Sequence, residues 1–360
     1  MDIQLKNFAD LSDQDIKDWR RLQQEDPSLI SPFYSPDFAD AVHRSGKPVL
    51  VAFAFKNDQL TGILPFHKGR WGTGIPVGGQ ISDYQGVIGP LKEALESVSF
   101  LKACGLRAYD YNHLPASQTA LVTGCFATSI SPNLDLTNGF EAYFAERRSK
   151  KNKVLKNAVR NLRILERDIG PVRLEFDDQS ETAWQSLVNW KNQSFQHMGV
   201  NSILDVDWAR HAFETIRKTR NPHFVGLISS LYVGDRLAAI HFGMRSHAAL
   251  HWWFPTYDQS LAKYSPGIVL LLEVAKRAPD YGIIKLDLGR GTQPYKKAFA
   301  NSETELCEGS IERRTTLAGS ARVVRKSVDK ILYNIPGFSK PAQLQRRAFN
   351  RLLGSVYLGK

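Results

Sequence analysis

The stretch from residue 224 to residue 311 leaves few architectures open. Residues 224–231, 236–244 and 248–254 alternate as strands do, and short turns at Gly234-Asp235 and Ser246-His247 fold them into an antiparallel meander. Residues 268–278 have the apolar density of a buried helix, 283–288 read as a fourth strand, a short helix surrounds residues 295–299, and a last strand lies near 305–311. Between meander and helix stands Tyr264-Ser265-Pro266-Gly267. Ser265 can cap the helix, Pro266 suits its first position, and Gly267 places no side chain over the free backbone donors. Such an end suits an anion, with pyrophosphate the first candidate, although Ser-Pro also starts many helices that bind nothing.

This order of elements, with Tyr257-Asp258, Tyr264-Ser265-Pro266-Gly267, Asp287-Leu288-Gly289 and Tyr295-Lys296, resembles the GNAT superfamily. Within it the pattern is similar to the tandem acyltransferases of bacterial polysaccharide synthesis. That branch includes CelD-like proteins and is related to the FemAB-type aminoacyl transferases. The resemblance is strongest over residues 140–311 and weaker over 33–89. It implies an α/β (α+β) fold of two tandem GNAT-like domains, each a mixed, mostly antiparallel sheet flanked by helices. Their spans would be 1–139 and 140–312, followed by a basic tail, 313–360. It also implies transfer of an acyl group from a thioester, or from aminoacyl-tRNA as in the Fem relatives, to an amine or hydroxyl. The glycine-rich pyrophosphate loop of ordinary GNAT enzymes is replaced here by Tyr264-Ser265-Pro266-Gly267, so coenzyme A remains the first donor expected without this motif securing it.

Amine acylation needs a group to take the acceptor's proton, donors for the developing oxyanion, and a tolerated thiolate leaving group. Asp287, at the end of a strand just before Gly289-Arg290-Gly291, is the first candidate base; an Asp in that position also caps turns. His241, in an apolar strand, is more often a core residue, but its ordinary pKa suits a base at neutral pH if it faces a cleft. Tyr257 and Tyr264 are candidate donors to the leaving sulfur, and aromatic packing explains them equally well. The Tyr-Lys match to the family makes Lys296 a candidate phosphate contact. Trp252 and Trp253 should divide between core and cleft.

The first half reads as a helix beginning at Phe33-Tyr34-Ser35-Pro36-Asp37-Phe38, a hairpin of residues 49–55 and 60–67, and a segment, 81–88, that carries Ser82-Asp83-Tyr84-Gln85 inward. Gly72, Gly74, Gly78 and Gly79 read as a flexible loop and lack the Gly-Lys-Ser/Thr ending of a phosphate loop. By resemblance this half shapes the acceptor side of a cleft, with Asp83, Tyr84 and Gln85 as substrate contacts, or else forms an ordinary turn at a sheet edge. Residues 140–166 read as one long basic helix. Such runs are usually solvated faces; in the family a basic helix opens the catalytic half, which makes Arg148, Lys151 and Lys153 candidate contacts to a phosphorylated acceptor.

The 360 residues suit two domains with a core each, and 42% hydrophobic content suffices for them. No apolar run approaches the roughly 20 residues of a membrane span, and Met1-Asp2-Ile3-Gln4 does not open a signal peptide, so the expected location is the cytoplasm. Cys104, Cys125 and Cys307 lie too far apart for a disulfide framework or a metal knuckle. No metal or bound cofactor is implied; acyl-CoA, acetyl-CoA first, would be a co-substrate.

Charge is concentrated at the end: residues 313–360 carry eleven Lys or Arg against Asp329, +10 of the formal +11. An amphipathic stripe there is a candidate for peripheral contact with the inner face of a membrane, with packing on the first domain, tRNA, or a small anionic nucleotide as competing partners. What the resemblance implies is an acyl-CoA-dependent N-acyltransferase acting on a sugar or lipid-linked sugar in exopolysaccharide biosynthesis. The alternatives are a Fem-like aminoacyl transferase using tRNA and a non-catalytic anion-sensing or assembly protein of an export pathway.

Overall fold

The structure is a computed structural model that describes residues 2–69, 72–90, 97–150, 152–197, 199 and 201–312. Lys151 and the basic tail, with the membrane and nucleotide contacts expected of it, lie outside the described residues.

The first half contributes strands β1 (Asp2–Asn7), β2 (Leu50–Lys56), β3 (Gln59–Lys68), β4 (Thr73–Pro76), β5 (Ala108–Pro115) and β6 (Cys125–Asp135). Its helices are α1 (Asp13–Glu25), α2 (Pro36–Arg44), α3 (Ser97–Ala103) and α4 (Thr119–Val122). The second contributes α5 (Gly139–Ser149), α6 (Lys153–Asp168), β7 (Val172–Glu175), α7 (Glu181–His197), α8 (Asp207–Lys218), β8 (Arg220–Asn221), β9 (Phe224–Val233), β10 (Arg236–Arg245) and β11 (Ala249–Tyr257). It closes with α9 (Pro266–Arg277), β12 (Lys285–Asp287), α10 (Pro294–Phe299) and β13 (Ser302–Glu312).

Both halves are mixed α/β, as expected, but their sheets are one. Thirteen strands run in the order β1-β2-β3-β4-β5-β13-β6-β12-β11-β10-β9-β7, with β8 paired to β9. The last strand of each half has crossed into the other: β13 lies between β5 and β6, with Cys307 opposite Leu114, and β6 lies between β13 and β12, with Leu134 opposite Leu286. At this exchange β6 and β13 approach so closely that a β-carbon on Gly124 would collide with the Ser310 carbonyl. The cores follow the same rule. One cluster joins Trp19, Phe38 and Val42 of the first half to Trp184, Phe213 and Phe242 of the second, so the expected single core per half is replaced by a shared one. A second packs α6 and α9 beneath β9 to β12, and a third gathers the first half around Cys307 and Ile311 of the exchanged β13. Each fully buried ring, such as Phe213 or Phe242, contributes roughly 1.5–3 kcal/mol.

Three local expectations change. The long basic helix is two, because the Asn152 side chain caps a new start by accepting the Leu155 amide at 3.1 Å. The glycines expected to form a flexible loop include a strand, β4, where Gly74 packs against Leu106 and Tyr109. Ser265 does not cap α9 with its side chain: it takes a left-handed conformation (φ 52°) between the 3-10 turn Gln259–Tyr264 and the helix, and its carbonyl accepts the Ile268 amide at 2.9 Å.

Candidate active site

Strands β11 and β12 run parallel and pair only at Ala249 with Lys285, Leu250 with Leu286, and His251 with Asp287. Beyond that point β12 has ended and β11 continues to Tyr257 paired with β10 only, so β11 and β12 part at their C-terminal ends. The helix that follows β11 begins beside this opening, where Gly267 packs against the Tyr257 ring. Side chains paired in register stand on one face, so His251 and Asp287 meet at the vertex.

Asp287, 4% exposed, is held on both oxygens. Oδ1 accepts from Ser131 Oγ at 2.7 Å and from the Gly289 amide at 2.8 Å, and Oδ2 accepts from the Tyr84 hydroxyl. His251, 1% exposed, lies between two carboxylates: Nε2 is 2.8 Å from Asp83 Oδ2, and Nδ1 is 3.6 Å from Asp287 Oδ1. Asp83 keeps more contact with solvent, its side chain 23% exposed, and its other oxygen lies 3.6 Å from His113 Nε2. Burial works to raise the Asp83 carboxyl, but the hydrogen bond and charge of His251, with His113 and Lys296 behind it, hold it below the ordinary range. Burial pushes His113 down to about 4, and pushes the Tyr84 hydroxyl well up, with Asp287 adding to it.

The vertex therefore draws on both halves. Asp83, Tyr84, His113 and Ser131 come from the first, and His251, Asp287, Gly289 and Lys296 from the second. Gly289 (φ 72°) is required at its turn, since any β-carbon would sit in a left-handed backbone 3.2 Å from Asp83 Oδ2.

Among the residues singled out by sequence, the structure brings Asp83, Tyr84, Asp287 and Lys296 together. It gives others different work. Lys296 is 7% exposed and donates to the carbonyls of Gly289 at 3.0 Å and Arg290 at 3.1 Å, so it fixes the turn after β12 rather than waiting for a phosphate. Gln85 accepts the amides of Asn112 and His113 and ties the loop to β5, which leaves it no acceptor face. His241 is fully buried, stacked 3.9 Å from Trp252, with Nε2 taking the Trp253 amide at the bulge in the β10–β11 ladder. Burial pushes it down to about 3, so it is a neutral core residue and the histidine at the vertex is His251. The alternation of Leu250, His251 and Trp252 signalled His251's face, but only the register with Asp287 reveals its partner.

Tyr257 and Tyr264 flank the start of α9; the Tyr264 hydroxyl is 3.4 Å from Asp168. Pro266 and Gly267 form the first turn. Arg148 is exposed over the Phe144 ring. Trp252 is core and Trp253 is half-buried against Phe33 and Phe213, as the alternation requires.

Residues 149–297, the segment that holds α6 through α10 and the parted strands, match the acetyltransferase (GNAT) domain family. Residues 149–297 thus form a GNAT-type acetyltransferase domain. Solved structures share the fold across both halves. FemX matches at 8% identity, covering 86% of this chain and 96% of its own, with a TM-score of 0.56. The C-terminal DUF2156 domain of a protein assigned as a lysylphosphatidylglycerol synthetase from Agrobacterium fabrum matches at 12% identity, covering 88% and 95%, with a TM-score of 0.51. L-PGS from Bacillus licheniformis matches at 10% identity, covering 86% and 96%, with a TM-score of 0.50. Curated proteins yield no match. GNAT domains generally take acetyl-CoA as co-substrate. Among the described residues no helix is long and apolar enough to cross a membrane.

Proposed function

We propose that this GNAT enzyme is an acyl-CoA-dependent N-acyltransferase, acetyl-CoA being the first donor to test, whose acceptor is an amino sugar or lipid-linked sugar in exopolysaccharide biosynthesis. The observation that carries the reading is the opening between β11 and β12 within the matched segment, with Asp83, His251 and Asp287 at its vertex. The donor's pyrophosphate would lie at the first turn of α9, Pro266 and Gly267, with Tyr257 and Tyr264 beside it. The acceptor class rests on the resemblance of Tyr257-Asp258, Tyr264-Ser265-Pro266-Gly267 and Tyr295-Lys296 to the polysaccharide branch.

Asp83 is the base in this reading, because it is the carboxylate of the group that reaches solvent. As the acceptor nitrogen attacks the thioester carbon, its proton passes to Asp83. His251 Nε2 shares that proton, and Asp287, fixed by Ser131, Tyr84 and Gly289, holds the imidazole from behind. The C–S bond then breaks, and the coenzyme A thiolate leaves. The neighbouring imidazole keeps Asp83 ionised and so free to take the proton, at the cost of a lower affinity for it.

Calorimetry of acetyl-CoA and CoA binding to wild type and Gly267→Asp tests the donor. The added carboxylate has room, since its β-carbon lies 3.4 Å from the Tyr257 ring, and should repel a pyrophosphate. Binding by wild type and loss in the variant support the reading; absence of binding by wild type overturns it.

A further inference from the structure

We propose that the outer face of α6 is a docking surface for an anionic phospholipid bilayer, which would set the mouth of the cleft against a lipid-linked acceptor. The acceptor part of this statement rests on the function proposed above; the surface does not.

Lys153, Lys156, Arg160, Arg163 and Arg167 are all exposed on this helix. At 100° per residue they fall within an arc of about 80°, in a row about 21 Å long. Arg167 pairs with Asp168 at 2.7 Å, whereas among the described residues the side chains of the other four make no ion pair and no hydrogen bond. Several exposed arginines on other helices are neutralised one turn away: Arg21 with Glu25, Arg44 with Asp40, Arg210 with Asp207, Arg277 with Asp280. A row of like charges three and four residues apart repels itself, so this sequence accepts a small cost in helix stability that an anionic partner would relieve.

The row's place gives it a use. At the start of α6, Asn152 donates to the Ala298 carbonyl at the end of α10; at the other end, Asp168 meets Tyr264 just before α9. The helix that carries the row therefore runs from the end of α10 to the 3-10 turn before α9, beside the helix whose first turn borders the opening. The helix carries no aromatic side chain on which a base could stack, which argues against single-stranded nucleic acid, and a straight, rigid row of cations fits a plane of headgroups.

The test is sedimentation of the full chain with vesicles of equal parts phosphatidylglycerol and phosphatidylcholine, beside pure phosphatidylcholine vesicles. Wild type is compared with Lys153→Gln/Lys156→Gln/Arg160→Gln/Arg163→Gln. These side chains are solvated, and an unchanged circular dichroism spectrum and unchanged acetyl-CoA binding show the variant intact. Wild type should bind the anionic vesicles only, should release in high salt, and should lose about tenfold or more in partitioning when the four cations are removed. Equal binding by the variant, or no binding by wild type, overturns the proposal. Transfer RNA that displaces wild type from vesicles, with the variant losing RNA and not vesicle binding, also overturns it. Failure of acetyl-CoA to bind wild type would refute the donor assignment and leave the vesicle result standing.

Discussion

His251 and Asp287 are the last residues to pair between β11 and β12, and their side chains stand 3.6 Å apart where the strands separate. An imidazole is thereby fixed at a place where the sheet opens, with its far nitrogen on Asp83 of the other half. Asp83→Asn keeps the volume and removes the charge. Its turnover should fall on the order of 10²–10⁴-fold while acetyl-CoA affinity holds, read by steady-state kinetics beside calorimetry. Undiminished turnover would sink the assignment of Asp83 as base.

Tyr84→Phe removes the hydroxyl that Asp287 accepts from, leaving a buried carboxylate one donor short. The expected loss is about 1–3 kcal/mol of stability in urea denaturation. In the Asp287→Asn background the same substitution should cost much less, because the charge it serves has gone; equal costs in both backgrounds would show the two residues to be independent.

Acid stability should carry the mark of His241. Burial lowers its folded value from the ordinary 6.5 to about 3, so between those limits the unfolded chain holds a proton the folded chain refuses. Stability therefore falls as pH drops below 6.5, and nothing is lost above it. His113, pushed to about 4, adds to the same slope over a narrower window. Urea midpoints at stepped pH from about 7 to about 5, above the range of most carboxylates, should decline in wild type and decline less in His241→Phe. Matching slopes in the two proteins would refute the assignment.

Gly124→Ala tests the strand exchange. Its β-carbon would meet the backbone carbonyl of Ser310, which no side-chain rotation can relieve. We expect a loss of about 1–3 kcal/mol or more in thermal denaturation. A thermal midpoint unchanged from wild type would mean that β6 and β13 do not approach as closely as described.

The second half was readable in outline because its signals are local: alternation marks β9, β10 and β11, and apolar density marks α9. What escaped was whatever depends on partners distant in sequence. The exchange of β6 and β13 joins Asn133 to Ser302, and no turn or period announces that pairing. His251 looked like an ordinary strand residue until register set it beside Asp287, whereas His241, of the same type and in the neighbouring strand, proved to fill a bulge. Asp83 and Tyr84 were picked out by family likeness rather than by spacing, and their place came from the fold of the other half around them. Ser265 misled because capping statistics assume a coil before the helix, and here a 3-10 turn runs straight into it.

Because each half lends its final strand to its neighbour, neither is a module that could be moved to another protein. A chain severed between Asp135 and Gly139 would yield two pieces, each missing a strand that only the other possesses. Produced separately they should aggregate through the vacated positions, and produced together they should reassemble, which makes that junction a natural place to build a two-fragment complementation reporter.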